Sequence, residues 1–173
     1  SVSSQLFVGN QNAGKLTIKA GGQVAVGSSP TSSSVIVGRA AGLLPGTVVV
    51  EGTNSKLNVL GSLTVGDRGV GEMQIKSAGH VENDAAWIGY DLGSQGKVLV
   101  DGGTWLVRDL LSVGLAGTAE LDIRNGGVVV AKNDVVIGSL GTVLGTGGIT
   151  GDGVTVLVEN SGTVMPGTSP GAF

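Results

Sequence analysis

The amino-acid sequence predicts an all-β parallel β-helix, a solenoid of about five to six coils with roughly three short strands per coil. Three observations predict it. A block recurs along the chain at intervals of about 25 residues, and self-similarity at such a period marks a repeat architecture. Within each block apolar residues alternate with polar ones, which turns one face of a strand to a core and the other outward. Glycine supplies 33 of the 173 residues, and glycine clusters between short Val, Leu and Ile runs are the signature of many tight corners. No helical period of 3.6 competes with this pattern.

The first strand of each coil carries its apolar pairs at Leu16/Ile18, Val48/Val50, Met73/Ile75, Val98/Val100 and Leu121/Ile123. The second follows a pair of small residues and carries Val24/Val26, Leu57/Val59, Val81, Trp105/Val107 and Val129. The third ends in glycine: Phe7-Val8-Gly9, Ile36-Val37-Gly38, Thr64-Val65-Gly66, Trp87-Ile88-Gly89, Ser112-Val113-Gly114 and Val136-Ile137-Gly138. In a solenoid each coil lies about 4.8 Å from the next, so equivalent residues form rows along the axis. The row after the first strand reads Lys19, Glu51, Lys76, Asp101, Arg124, with the sign alternating at every step, and Glu159 is expected to extend it. A second row reads Glu72, Lys97, Glu120. Opposite charges on paired strands attract and like charges repel, so the coils are expected to stack in register as a structural charge ladder.

The repeats occupy residues 1–141. After Gly138 the pattern loosens into Gly, Ser and Thr, so residues 142–173 are expected to form a last coil or cap and a Gly/Pro-rich exit. Ser28 to Ser34 reads as a surface loop, a candidate for O-linked sugar, and Leu43-Leu44-Pro45-Gly46 as a shorter insertion. The chain opens directly into repeat-like sequence at Ser1, which suits a fragment of something longer.

Composition excludes several classes. The net charge is −3 with no basic block, so nothing points to nucleic acid. The chain has no cysteine, which removes disulfides, thiol catalysis and cysteine-based metal sites. The uncharged run from Val135 to Gly151 is too short and too broken for a membrane helix, so no membrane insertion by this fragment is expected.

The order L-x-V-G, then G-x-L-x-I-x-x-G-G-x-V, resembles the repeats in passenger domains of autotransporters (type V secretion) and the related β-helix repeats of proteins with a PEP-type sorting tail. Val48-Val49-Val50-Glu51-Gly52-Thr53 and Val98-Leu99-Val100-Asp101-Gly102-Gly103-Thr104-Trp105 carry the likeness, and Met165-Pro166-Gly167-Thr168-Ser169-Pro170-Gly171 resembles the P-G-x-S-P-G segment near the ends of such arrays. The resemblance implies a right-handed helix on the outside of a bacterium, outer membrane-attached in the full-length protein. There it would serve adhesion, self-association in aggregation or biofilm, or as a stalk. No translocator barrel, signal sequence or sorting tail accompanies the repeats.

Candidate chemistry is sparse. Gly167-Thr168-Ser169-Pro170-Gly171 fits the bare G-x-S-x-G pattern, but Pro170 opposes a helix after the serine and no histidine follows it. His80 is the single histidine, on an outward strand position shared with Gln23, Lys56, Thr104 and Val128. Gly147 to Asp152 departs from the calcium-binding nonapeptide at Thr150 and stands as one copy. The carboxylates Glu72, Asp101, Glu120 and Asp122 have roles in the charge rows. The expectation is a non-enzyme with no catalytic residue, no metal and no cofactor. A polysaccharide lyase or hydrolase-like enzyme on the same scaffold, or a passive spacer, is the alternative.

The middle residue of the third strand should face outward, and Phe7, Ile36, Trp87 and Val136 are large and apolar there. Either something covers them, or they form a binding stripe. The expected partners are a host-cell or bacterial surface receptor, identical chains, or a carbohydrate.

Overall fold

The computed structural model describes residues 5–28, 33–40, 44–151 and 158–167. Among these residues twenty strands and no helix wind into a parallel β-solenoid with three strands per turn. The first sheet holds β2 (Gly14–Ile18), β5 (Gly46–Glu51), β8 (Val70–Lys76), β11 (Gln95–Asp101), β14 (Thr118–Arg124), β17 (Gly141–Gly145) and β20 (Thr163–Pro166). The second holds β3 (Gln23–Val26), β6 (Lys56–Val59), β9 (His80–Asn83), β12 (Thr104–Val107), β15 (Val128–Ala131) and β18 (Gly148–Gly151). The third holds β1 (Gln5–Val8), β4 (Ser34–Val37), β7 (Ser62–Val65), β10 (Ala86–Ile88), β13 (Leu111–Val113), β16 (Val135–Ile137) and β19 (Val158–Asn160).

Each strand pairs with the strand three places away in the chain. A short strand cannot satisfy its own N–H and C=O groups, and stacking on the turns above and below supplies the partners. The expected apolar pairs stack as inward rows. Val48, Met73, Val98, Leu121 and Val143 line the first sheet, Val35, Leu63, Ala86, Leu111 and Val135 the third, and Leu57, Val81, Trp105 and Val129 the second, all buried. Each large aliphatic side chain so buried contributes about 1.5–3 kcal/mol. Asn83 brings a polar side chain into this core: its Oδ1 accepts a hydrogen bond from the Trp105 indole at 2.7 Å, and its amide donates to the Ala85 carbonyl at 2.9 Å.

The corner from third to first sheet is made by glycine. Gly9, Gly38, Gly66, Gly89 and Gly114 all take positive φ, from 66° to 79°, a region that costs glycine nothing. Their amides tie turn to turn, as in Gly66 N–Val37 O at 2.8 Å and Gly89 N–Val65 O at 3.0 Å.

The end of the chain departs from expectation. Glu159 does not extend the charge ladder. It lies on β19 in the third sheet, beside Val136. The residue that continues the first sheet after Leu121 is Val143, and Val164 follows it. Strand order explains this: once β17 and β18 have filled the first two sheets, the next strand belongs to the third. The alternation in Val156-Leu157-Val158 fits any of the three sheets equally. The sheets pass without interruption through residue 141, which lies inside β17.

Candidate functional site

The outward middle row of the third sheet is in register from Phe7 through Ile36, Thr64, Trp87 and Ser112 to Val136. Phe7, Ile36, Trp87 and Val136 are brought into one line, but each is half-buried rather than open. The two small members are covered: Thr64 is 7 % and Ser112 2 % exposed. With neighbours about 4.8 Å apart, large side chains close over small ones, so the row is a ridged strip and not a continuous apolar band.

A second column stands beside it on the glycine corner. Backbone hydrogen bonds Arg39 N–Gly9 O (3.0 Å), Asp67 N–Gly38 O (3.1 Å) and Tyr90 N–Gly66 O (2.9 Å) stack Arg39, Asp67 and Tyr90 in successive turns. The side chains fold back over the strip. The Arg39 guanidinium lies 4.4 Å from the Phe7 ring centroid, a cation–π contact. The Tyr90 ring meets Trp87 edge to face, 5.7 Å between centroids at 73°. Arg68 Nε pairs with Asp91 Oδ2 at 3.4 Å. Burial raises the Asp67 carboxyl above its ordinary value; Arg68 opposes that, Asp91 adds to it and Arg39 opposes it again. Of the five aromatic residues in the chain, Trp105 is in the core, Phe173 lies outside the described residues, and the other three are on this face.

Sequence reasoning missed a set of exposed leucines at the glycine corner. Leu92, 84 % exposed, and Leu115 and Leu140 follow the corner glycines Gly89, Gly114 and Gly138. The recurrence of leucine one to three residues after those glycines was the available signal.

On the first sheet the strands pair Glu51, Lys76, Asp101 and Arg124 in register. Lys19 lies one residue past the last paired position, Ile18–Val50. Arg124 Nε sits 3.5 Å from Asp101 Oδ2 and its Nη1 3.6 Å from Asp122 Oδ2. Asn125 donates to Asp101 Oδ1 at 2.6 Å. In the parallel row Lys97 Nζ binds Glu120 at 2.6 Å.

The second sheet carries a cluster that sequence reasoning did not assemble. Glu82 is ion-paired with both Lys56 and Arg108. His80 Nε2 lies 3.6 Å from it, and Arg108 also meets Asp84 at 3.3 Å. Burial and the charge of Lys56 hold the His80 pKa below its ordinary 6.5, with Glu82 opposing. Burial alone would raise Glu82, but the hydrogen bond from Lys56 and the charges of Arg108, Lys56 and His80 outweigh it, so the carboxyl lies below its ordinary 4.5. The unfolded chain therefore takes up the His80 proton more readily, and stability falls as pH drops through 6.5. The contribution of Glu82 is present above 4.5 and is lost as pH falls through the lower, folded value. Thermal unfolding followed against pH is expected to show two stages of acid destabilisation. His80→Gln should remove the upper stage. Glu82→Gln should remove the lower one and depress the midpoint at neutral pH.

The chain is 35 % identical over 147 residues to the uncharacterized lipoprotein YdeK of Escherichia coli (strain K12), a match that covers 82 % of this chain and 10 % of that protein. The chain thus spans about a tenth of the length of the curated relative it matches. No protein-family model matches the chain, and no solved structure matches it.

Among the described residues no helix is long and apolar enough to cross a membrane, which leaves β-barrels unaddressed. Among the same residues no group of three His, Asp or Glu side chains is placed to hold a metal ion. Residues 29–32 of the Ser-rich loop, Asp152 of the calcium-like segment, and Thr168 to Gly171 of the G-x-S-x-G and P-G-x-S-P-G segments lie outside the described residues.

Proposed function

We propose that this chain is a non-catalytic segment of a bacterial cell-envelope or surface protein. It works as a stiff, autotransporter-like rod whose third-sheet face makes adhesive or self-associating contacts. The observation that carries the reading is the face itself. A register held over successive turns sets Phe7, Ile36, Trp87 and Val136 in one half-exposed line, with Arg39, Asp67 and Tyr90 alongside. The likeness to a protein named a lipoprotein supports an envelope location. The carboxylates considered for acid–base chemistry support the non-catalytic reading: Glu120, Asp101 and Asp122 are each held by a cation, and Glu72 faces Lys97.

Beads coated with the whole chain test this. They are expected to cluster with one another, or to adhere to bacterial or epithelial cells. The double variant Phe7→Ser/Trp87→Ser should lose most of that association while its far-UV circular dichroism is unchanged. Equal association by the variant and the original chain would sink the reading.

A further inference from the structure

The corner that joins Trp87 to Tyr90 differs from the rest of the surface. Phe7, the other aromatic side chain of the outward row, stands three turns away under the Arg39 guanidinium. At this corner two rings meet at 73° and form a floor and a wall. Three charged groups lie next to them: Asp67 directly beneath Tyr90 in the corner column, and the ion pair that Arg68, which follows Asp67, makes with Asp91, which follows Tyr90. Interface cores that take protein partners are depleted in charge, and two rings among three charges do not make such a core.

The arrangement suits a ligand with one apolar face and a rim of groups that both donate and accept. A pyranose has that form. Its C–H face packs on the negative face of an aromatic ring. Its hydroxyls donate to carboxylates, which only accept, and accept from guanidinium groups, which only donate. The Arg68–Asp91 pair sets a guanidinium and a carboxylate side by side, so neighbouring hydroxyls meet one of each.

We propose that Trp87 and Tyr90, with Asp67, Asp91 and Arg68, form a shallow carbohydrate-binding subsite on the third-sheet face. The subsite names the ligand class of the contact face and so rests on the adhesive reading for its biological use, though its chemistry is testable alone.

The test is titration of the whole chain with cellotriose, maltotriose, triacetylchitotriose and sialyllactose, followed by tryptophan emission and by saturation-transfer NMR. Trp105 is fully buried with its indole N–H bonded to Asn83, so an emission change reports Trp87. At least one sugar is expected to give a saturable change with millimolar affinity, as a shallow site of few contacts should. Tyr90→Ala, at an exposed position where the fold should survive, should weaken it by about tenfold, the loss of one stacked ring. Neither an emission change nor saturation transfer with any of the four sugars overturns the proposal. So does binding that is unchanged in both Tyr90→Ala and Trp87→Ser. Cell adhesion that is abolished by Trp87→Ser, yet untouched by periodate oxidation of the target surface, identifies a protein partner and also overturns it. Sugar binding without any bead adhesion upholds the subsite and removes the adhesive reading, so the two fail separately.

Discussion

Replacing Gly89 by alanine is expected to cost about 4 kcal/mol or more, at the upper extreme for a single substitution. Two penalties coincide. Gly89 has φ +66°, and a Cβ there would lie 2.5 Å from the Thr118 carbonyl oxygen and 2.9 Å from that of Gly117. Those atoms belong to the backbone of the next turn and cannot rotate aside. The Gly89 amide also ties this turn to Val65 of the previous one, so any shift that relieves the clash pulls on that bond. In a stack whose stability is a sum of turn and interface terms, one weak interface uncouples what lies on either side. Urea unfolding followed by far-UV circular dichroism should therefore split into two transitions. Gly93→Ala is the control. Gly93 has φ +79° with nothing within 4 Å of the added carbon, so only the backbone cost of about 1–2 kcal/mol applies. If both variants unfold at the same urea concentration, the close approach of turns at Gly89 is not what holds the corner.

Trp105→Ala should destabilise the chain by about 3–5 kcal/mol through the cavity it leaves, with a further cost of about 1–3 kcal/mol because Asn83 Oδ1 loses its donor inside the core. Trp105 and Asn83 are both fully buried. Trp105→Phe separates the two terms: it retains most of the ring and removes the indole N–H. The double variant Asn83→Leu/Trp105→Phe replaces both polar partners and should recover part of the loss, because removing both members of a buried hydrogen bond costs less than removing one. Equilibrium unfolding of the three variants reads the difference directly. If Trp105→Phe is as stable as the original chain, the Asn83 bond contributes nothing.

Much of the fold was legible because repeats made each turn a check on the others. Leu16/Ile18, Met73/Ile75 and Leu121/Ile123 alternate too regularly to be anything but inward pairs, and the alternating charges at Glu51, Lys76, Asp101 and Arg124 stated the register as well as the strand. Legibility ended where those cues ended. Residues after Gly138 carry few charges, so nothing in Val156 to Glu159 distinguishes one sheet from another, and the position of Glu159 in the third sheet comes from strand order alone. The contact face was half legible. The outward position of Phe7, Ile36, Trp87 and Val136 follows from period two, but their partial burial does not, because what covers an outward side chain comes from the turns above and below and from the corner. Arg39 on Phe7 and Tyr90 on Trp87 are contacts across columns, and Asn83 beneath Trp105 joins residues 22 apart.

The sequence by itself determined that this protein is a parallel stack of three-stranded turns, which sides of its strands face in, and how successive turns align. Those features depend on spacing along the chain and on side-chain type, both of which are written in it. Tertiary structure alone decided which outward groups remain accessible, which carboxylates are held by cations, and that two aromatic rings lie beside Asp67 and the Arg68–Asp91 pair at one corner. Accessibility and pairing depend on distances between side chains brought together by stacking, and those distances exist only once the coil has closed.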